Sequence, residues 1–294
     1  MARLASLLAC LLASAGHTAA ACTRAELGTV VDRYFEALAA HDPHAVTLAP
    51  KLRFTENGLV IKSGEGFWKT AGMRLFTRSA LDTDTCGTVT QAVIEENGRP
   101  ILFGVRLKLD GNGRITEIEH LIAREKEFAF KPQGVLETRD DNWETLLPPE
   151  ERASRAAMAA AANDYYDMFT KTPEVSAPFA HPCERWENGT KTTKGDCSPK
   201  GLVLVHPERR VPVVDREAGI AVAFVYFNGA LPDMHMFKFR SGQIERIQSV
   251  IGPRGAPSTG WPDDKSLSRR VPPPDEQRAP PPATAPAAAA PAST

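Results

Sequence analysis

The sequence predicts an α+β chain of two tandem copies of one unit, each with helices packed on a curved antiparallel sheet, followed by a disordered Pro/Ala-rich C-terminal tail. Three observations predict it. Phe54-Thr55-Glu56-Asn57-Gly58 returns about 131 residues later as Arg185-Trp186-Glu187-Asn188-Gly189, and a fixed offset marks an internal repeat. The same offset relates Tyr34-Phe35-Glu36-Ala37-Leu38 to Tyr165-Tyr166-Asp167-Met168-Phe169. Around both echoes one order recurs: amphipathic helix, Asn-Gly hairpin, alternating strands.

The 294 residues, 42% hydrophobic and 24% charged, are enough for two units that each bury a core. A net charge of -1 gives no polyelectrolyte surface, so nucleic acid is not an expected partner. Met1-Ala2-Arg3, an apolar run over 4–15 and Ala19-Ala20-Ala21 form the three parts of a signal peptide. Export to the periplasm or medium follows, with 1–21 removed. No other apolar run is long enough for a transmembrane segment.

Of five Cys, Cys10 lies in the signal, leaving Cys22, Cys86, Cys183 and Cys197. An even count in an oxidising compartment favours two disulfides; the short Cys183 to Cys197 loop pairs those two, and Cys22 pairs with Cys86 by elimination. The rival reading makes Ala19-Ala20-Ala21-Cys22 a lipobox with Cys22 as a lipid anchor, although the upstream Leu is missing. Zinc spacing is absent. The division expected is 22–127 for the first unit, 128–149 for a connector, 150–252 for the second unit and 253–294 for the tail.

In order, Thr23-x-x-Glu26 is a capping box, and Leu27, Val30, Val31, Tyr34 and Leu38 give the helix after it one apolar face. Pro43 ends that helix, and a second short helix is expected over 43–49. Residues 54–61 read as a hairpin about Asn57-Gly58, and 64–75 as loop and short helix carrying Trp68. Strands follow at 89–95, 101–109 and 114–124. The middle one places Ile101, Phe103, Val105, Leu107 and Leu109 on one face and Arg106 and Lys108 on the other. After the connector, Met158, Ala162, Tyr165 and Phe169 make a helical stripe, and strands recur at 211–215, 219–227, 233–240 and 243–251. From Gly252 the Pro- and Ala-rich composition is too poor in large apolar groups to offset its ordering entropy.

Tyr34-Phe35-x-Ala37-Leu38-x-x-x-Asp42, followed by a short helix and curved sheet, resembles the nuclear transport factor 2-like, or SnoaL-like, superfamily. Pro182-Cys183-Glu184-Arg185, Glu187-Asn188-Gly189, Arg209-Arg210, Val214-Asp215 and Leu231-Pro232-Asp233-Met234-His235-Met236-Phe237 resemble a secreted fungal and bacterial family catalogued as a domain of unknown function. The resemblance runs from about Cys22 to Ile251, with Pro-Asp-x-His-x-Phe its most specific part. It implies a cone-shaped barrel per unit, whose pocket in understood relatives hosts cofactor-free acid/base chemistry on hydrophobic rings. Other members only bind or assemble, and fold analogy supplies no substrate.

The candidate catalytic residues are His235, Asp233, Tyr165, Glu187 and His120. His120 shares a strand face with Ile118 and Ile122, where burial sets its protonation; a hydrogen-bonded core histidine is the plainer account. His235 shares a face with Asp233 and Phe237, and the carboxylate two residues away can orient the imidazole and favour its charged form. A structural pair closing the strand is the alternative. Glu56 reads as a solvated hairpin residue, whereas Glu187, beside the disulfide loop, suits a pocket rim. Candidate substrate-binding residues are Trp186, Arg210, Tyr34, Trp68 and Phe237, with core packing the alternative for Tyr34 and Trp68 and an exposed strand-start pair the alternative for Arg209-Arg210. Asn188-Gly189-Thr190 is also a glycosylation sequon.

No G-x-S-x-G, phosphate loop, H-E-x-x-H or dinucleotide fingerprint is present, so no cofactor and no metal is expected. Two functions compete. One is an exported, cofactor-independent acid/base enzyme of lyase, hydratase or ether-hydrolase type, acting on a hydrophobic, aromatic small molecule such as a lignin-derived aryl ether or polyketide. The other is a non-catalytic periplasmic ligand-binding or scaffold protein. A homodimer is left open.

Overall fold

The computed structural model describes residues 22–169, 173–199, 202–203, 208–227, 229–255, 260–261 and 267–268. The expected signal peptide and most of the tail lie outside the described residues.

Thr23 starts α1 (Arg24–Ala39) with reciprocal bonds: Thr23 Oγ1 accepts from Glu26 N at 3.2 Å and the Glu26 carboxylate accepts from Thr23 N at 2.8 Å. Leu27, Val31, Tyr34, Phe35 and Leu38 form its buried face. Beyond it the expected helix over 43–49 shrinks to one turn, Pro43–Ala45, capped by Asp42, and β1 (Leu48–Glu56) has begun by Leu48. With β2 (Leu59–Val60) it makes the hairpin, Asn57 and Gly58 taking φ of 47° and 80°, the left-handed pair a two-residue turn needs. A helical turn, Gly66–Lys69, carries Trp68.

Four strands complete the first sheet: β3 (Ala71–Asp82), β4 (Gly87–Glu96), β5 (Arg99–Leu109) and β6 (Ile115–Ala123). The sequence reading lacked β3. Two register shifts, between Ala71 and Arg74 and between Arg74 and Phe76, break the two-residue alternation by which a strand is recognised. The order is β2-β1-β6-β5-β4-β3, with β1 parallel to β6. The sheet is therefore mixed and not purely antiparallel, because the β3-to-β6 meander ends running in the same direction as β1.

The connector carries α2 (Pro132–Leu136) and buries Val135, Trp143 and Leu147. Ser154 then caps α3 (Arg155–Asp167), and the strand order repeats through β7 (Phe179–Glu187), β8 (Thr190–Lys191), β9 (Glu208–Asp215), β10 (Ile220–Phe227), β11 (Leu231–Arg240) and β12 (Gln243–Ile251). This sheet runs β13-β9-β10-β11-β12-β7-β8, with β7 parallel to β12 and an added β13 (Leu267–Ser268) on β9.

The expected disordered tail thus makes contacts at β13 and at Trp261. That indole is buried, its Nε1 donating to Thr55 Oγ1 at 3.0 Å, with the Arg53 and Arg106 guanidiniums over its ring at 4.4 and 4.5 Å. A single large aromatic is enough to anchor a segment whose average composition predicts none.

Three buried clusters define the layers. α1 covers one face of the first sheet with Tyr34, Phe35 and Leu38 against Phe54, Phe103, Val105 and Ile118. α3 covers one face of the second with Met158, Tyr165 and Tyr166 against Val225, Phe237 and Ile247. The remaining faces meet each other, Val89, Val93 and Leu102 against Val222, Met234 and Val250. The order is helix, sheet, sheet, helix. Gly104 sits at that seam, where a Cβ would lie 3.0 Å from Met234 Sδ, so a side chain there would require Met234 to shift within a packed layer. Each unit's outer sheet face is covered by the other unit of the same chain.

Both expected disulfides are formed, Cys22–Cys86 and Cys183–Cys197. Cys22 has no thiol left for acylation. No described helix is long and apolar enough to cross a membrane.

Candidate functional site

The doubled Glu-Asn-Gly has a structural task beyond its turn. Asn57 Oδ1 accepts from Ile122 N at 2.8 Å and Asn188 Oδ1 accepts from Ile251 N at 2.8 Å. In each unit the amide therefore fastens the hairpin to the end of the last strand. Asn188 is wholly buried, and its Nδ2 donates to Phe128 O and Ile251 O, so the sequon is not offered to solvent in the folded chain.

Strand register aligns the polar groups of the two units. In the first, Val105, His120 and Glu56 lie side by side across β5, β6 and β1. In the second, the same positions on β11, β12 and β7 hold His235, Ser249 and Glu187. Each unit keeps one inward imidazole, on neighbouring strands.

His120 is wholly buried among the rings of Phe54, Phe67, Phe103 and Tyr34, with centroids 4.7 to 6.2 Å away. Its Nε2 is 2.6 Å from the Tyr34 hydroxyl, and its Nδ1 faces Glu56 Oε2 at 3.6 Å. Burial lowers the imidazole pKa despite Glu56; the neutral ring accepts the Tyr34 proton at Nε2 and turns Nδ1–H toward the carboxylate. Burial would raise Glu56, but the bonds from His120 and Phe67 N–H, the latter 2.8 Å, outweigh it and hold the carboxyl low. Glu56 is thus a partner of the core histidine and not a solvated hairpin residue. Trp68 packs on Tyr34 at 5.5 Å, closing an aromatic cage in which Nε2 is bonded to Tyr34 and Nδ1 faces Glu56 beyond hydrogen-bond distance.

His235 is buried differently. Its Nδ1 meets Asp233 Oδ1 at 3.0 Å, while Nε2 has no hydrogen-bond partner among the described residues. Burial pushes the Asp233 carboxyl up, opposed by His235. Phe237 stacks on the imidazole at 5.9 Å, and the rings of Tyr165 and Tyr166 lie 5.6 Å away. Tyr165 OH accepts from Arg185 Nη1 at 2.9 Å, which leaves its proton to donate elsewhere. Arg185 Nε faces Glu187 Oε1 at 3.3 Å, and Arg185 Nη1 also reaches Cys197 O at 3.2 Å. The disulfide loop therefore helps fix the guanidinium. Burial raises both tyrosine pKa values, so the hydroxyls stay protonated at neutral pH. Tyr166 OH and Ser249 Oγ are buried without partners among the described residues.

Of the sequence-selected residues, His235, Asp233, Tyr165, Glu187 and Phe237 come together; His120, Tyr34 and Trp68 form the other cage. Trp186 does not join them. It points to the face opposite Arg185 and Glu187, where Lys191 Nζ lies over its ring at 5.2 Å. Arg210 also lies elsewhere, and Arg209-Arg210 is no exposed pair. Arg210 is wholly buried, bonded to Glu119 of the first unit, and Arg209 is bonded to Asp167 at 2.6 Å. Adjacent strand residues face opposite ways, and each guanidinium here has a carboxylate to neutralise it. The sequence does not mark Arg185 or Ser249 as members of the cluster, whereas Tyr166 follows from its place on the helix that closes the unit. Strand register aligns Ser249 with His120, and the repeated order of strands was the available signal for that position.

A cavity of about 410 Å³ lies between β3 and the connector and one of about 600 Å³ beside the start of α1. Neither is lined by His235, Asp233 or His120. Among the described residues no three His, Cys, Asp or Glu side chains converge on a metal position.

No curated protein matches the chain. Solved structures similar to part of it include a protein of unknown function with a cystatin-like fold from Methylobium petroleophilum PM1, with 12% identity and a TM-score of 0.31, covering 37% of this chain and 84% of that one. A steroid delta-isomerase from Pseudomonas aeruginosa shares 13% identity at a TM-score of 0.29, over 35% and 82%. An NTF-2 like protein of unknown function from Burkholderia xenovorans LB400 shares 15% at 0.28, over 35% and 88%. Scores this low carry no inference about chemistry. Residues 151–251 match the family model described as Domain of unknown function (DUF8021), a match confined to the unit that holds His235 and Asp233.

Proposed function

We propose that the second unit is a cone-shaped acid/base site in an exported, cofactor-independent enzyme acting on a hydrophobic, aromatic small molecule. Lyase, hydratase and ether-hydrolase chemistry all fit, each needing one base and one acid beside a ring-sized substrate. The observation that carries the reading is the His235–Asp233 contact of 3.0 Å with Nε2 free among the described residues. Asp233 holds Nδ1–H, so Nε2 is the basic edge; the Tyr165 hydroxyl, held by Arg185, which Glu187 pairs in turn, supplies the donor. The two disulfides support export.

The second reading, a non-catalytic ligand-binding or scaffold protein, draws on the low exposure of His235, 2%. Incubating the mature protein with a panel of aromatic dimers and polyketides separates the two. Product from the wild type and none from His235→Ala supports the enzyme; saturable binding without turnover favours the second reading. Turnover unchanged in His235→Ala removes the assignment.

A further inference from the structure

Residues 252–294 hold one large aromatic, Trp261, and its indole touches both units. Arg53 and Arg106, from β1 and β5 of the first unit, lie over the ring at 4.4 and 4.5 Å, and Arg210, from β9 of the second, lies over it at 5.4 Å. Nε1 donates to Thr55 Oγ1 at 3.0 Å, and Arg53 donates to Gly260 O. Gly260, with φ of 78°, passes so close to the first hairpin that a Cβ there would lie 2.9 Å from Gly58 O.

Beside the indole the two units share an ion network. Glu119 accepts from Arg106 Nε at 3.0 Å within the first unit and from Arg210 of the second. All three side chains are buried. An ion pair across a seam is strong only while water is kept out, and the ring supplies that cover while turning its electron-rich face to the guanidiniums.

The connector repeats the device. Arg78 pairs with Gln91 and Arg210 with Phe224, each four residues along β4 or β10 from the equivalent pairs Asp82 with Gly87 and Asp215 with Ile220. The two arginines therefore occupy matching places. Trp143 lies with its ring 5.2 Å from the Arg78 guanidinium, and its carbonyl accepts from Lys238 Nζ of the second unit at 2.9 Å. Each unit is followed by a segment that lays one indole on the same strand position and reaches the other unit.

We propose that Trp261 is a releasable pin that locks the two units together: seated, it holds the seam closed, and withdrawn, it lets the units part while each stays folded. The seam has its own reporters. Leu81 N donates to Asp215 Oδ2 at 2.9 Å and Val214 N donates to Asp82 Oδ2 at 3.0 Å, each bond crossing from one unit to the other. The device does not depend on the chemistry of the His235 cluster.

Amide hydrogen exchange of the full mature chain tests this, comparing wild type with Trp261→Ala and with Gly260→Ala, which keeps the indole but sets a methyl against Gly58 O. The Leu81 and Val214 amides should exchange about tenfold or more faster in Trp261→Ala and about threefold faster in Gly260→Ala. Amides in the middle of β5 and β11, bonded within their own sheets, should stay within about twofold of wild type. Should Trp261→Ala fail to fold, Gly260→Ala decides. Unchanged seam amides overturn the proposal. So does equal acceleration in β5 and β11, which would make Trp261 an ordinary part of one cooperative core.

Discussion

Two histidines occupy adjacent strands of matching sheets, yet their surroundings differ in kind. His120 has one edge against Tyr34 and the other toward Glu56, inside a cage of rings. His235 has one edge on Asp233 and the other without a partner among the described residues, beside two hydroxyls that also have no described acceptor for their protons, those of Tyr166 and Ser249. The first arrangement packs an imidazole among rings, with Nε2 bonded to Tyr34 and Nδ1 held 3.6 Å from the Glu56 carboxylate. The second holds an imidazole in one orientation and leaves it a basic edge. The two sheets offer equivalent frameworks, and differences at two of the three aligned positions, Val105 against His235 and His120 against Ser249, with Glu at the third in both, separate a core from a candidate site.

The covalent frameworks of the two units should differ first and most. Cys22–Cys86 closes a loop of sequence separation 64 and Cys183–Cys197 one of 14. Loop-closure entropy assigns them about 4 and about 3 kcal/mol respectively. Urea unfolding of the paired Cys→Ser variants checks the order, and a smaller loss for the Cys22/Cys86 pair would break it. Loss of the second pair should also release Arg185, which Cys197 O helps hold.

A hydroxyl deletion in each unit should then act in opposite ways. Tyr34→Phe strands His120 Nε2 inside its cage and should cost about 1–3 kcal/mol. Tyr166→Phe removes a buried hydroxyl that has no described partner and should be neutral or slightly stabilising, about 0–1 kcal/mol. Denaturant midpoints of both variants measure this. A large loss in Tyr166→Phe would mean that the hydroxyl is bound in the free protein.

The smallest effect is in the pH dependence of stability, and its sign differs between the units. Burial holds His120 below the ordinary 6.5, so the unfolded chain takes up a proton first. Stability falls as pH drops from 6.5 toward the lowered value. Glu56, held low by His120 and Phe67 N–H, adds to that acid loss further down. Asp233 is raised above 3.8 by burial, so the unfolded chain releases its proton first, and stability falls as pH rises from 3.8 toward the raised value. His120→Gln should flatten the first slope and Asp233→Asn the second, each by no more than one proton. Unfolding free energies measured from mildly acid to neutral pH would show it.

Much of the framework was legible in the sequence. The capping box, the Asn-Gly hairpins, both disulfides and the inward faces of β6 and β11 follow from local rules of spacing and turn chemistry. The strand β3 did not, because bulges erase the alternation that signals a strand. Arg210 was misread because composition says nothing about where the partner of a buried charge will come from. Glu119 lies in the other unit, and only the meeting of the two sheets brings it within reach. His235 with Asp233 could be selected because two residues apart on one strand face is a local relation. Arg185, which approaches Tyr165 from another strand, is a tertiary one.

The claim that the second unit and not the first carries chemistry is tested most directly by removing the charge that faces each imidazole. With a substrate found in the aromatic panel, kcat/KM is measured side by side for wild type, Asp233→Asn and Glu56→Gln. The account predicts a loss of about a hundredfold or more in Asp233→Asn, the scale of a misoriented general base, and less than about a twofold change in Glu56→Gln. Equal losses in both variants, or a loss in Glu56→Gln alone, would contradict it.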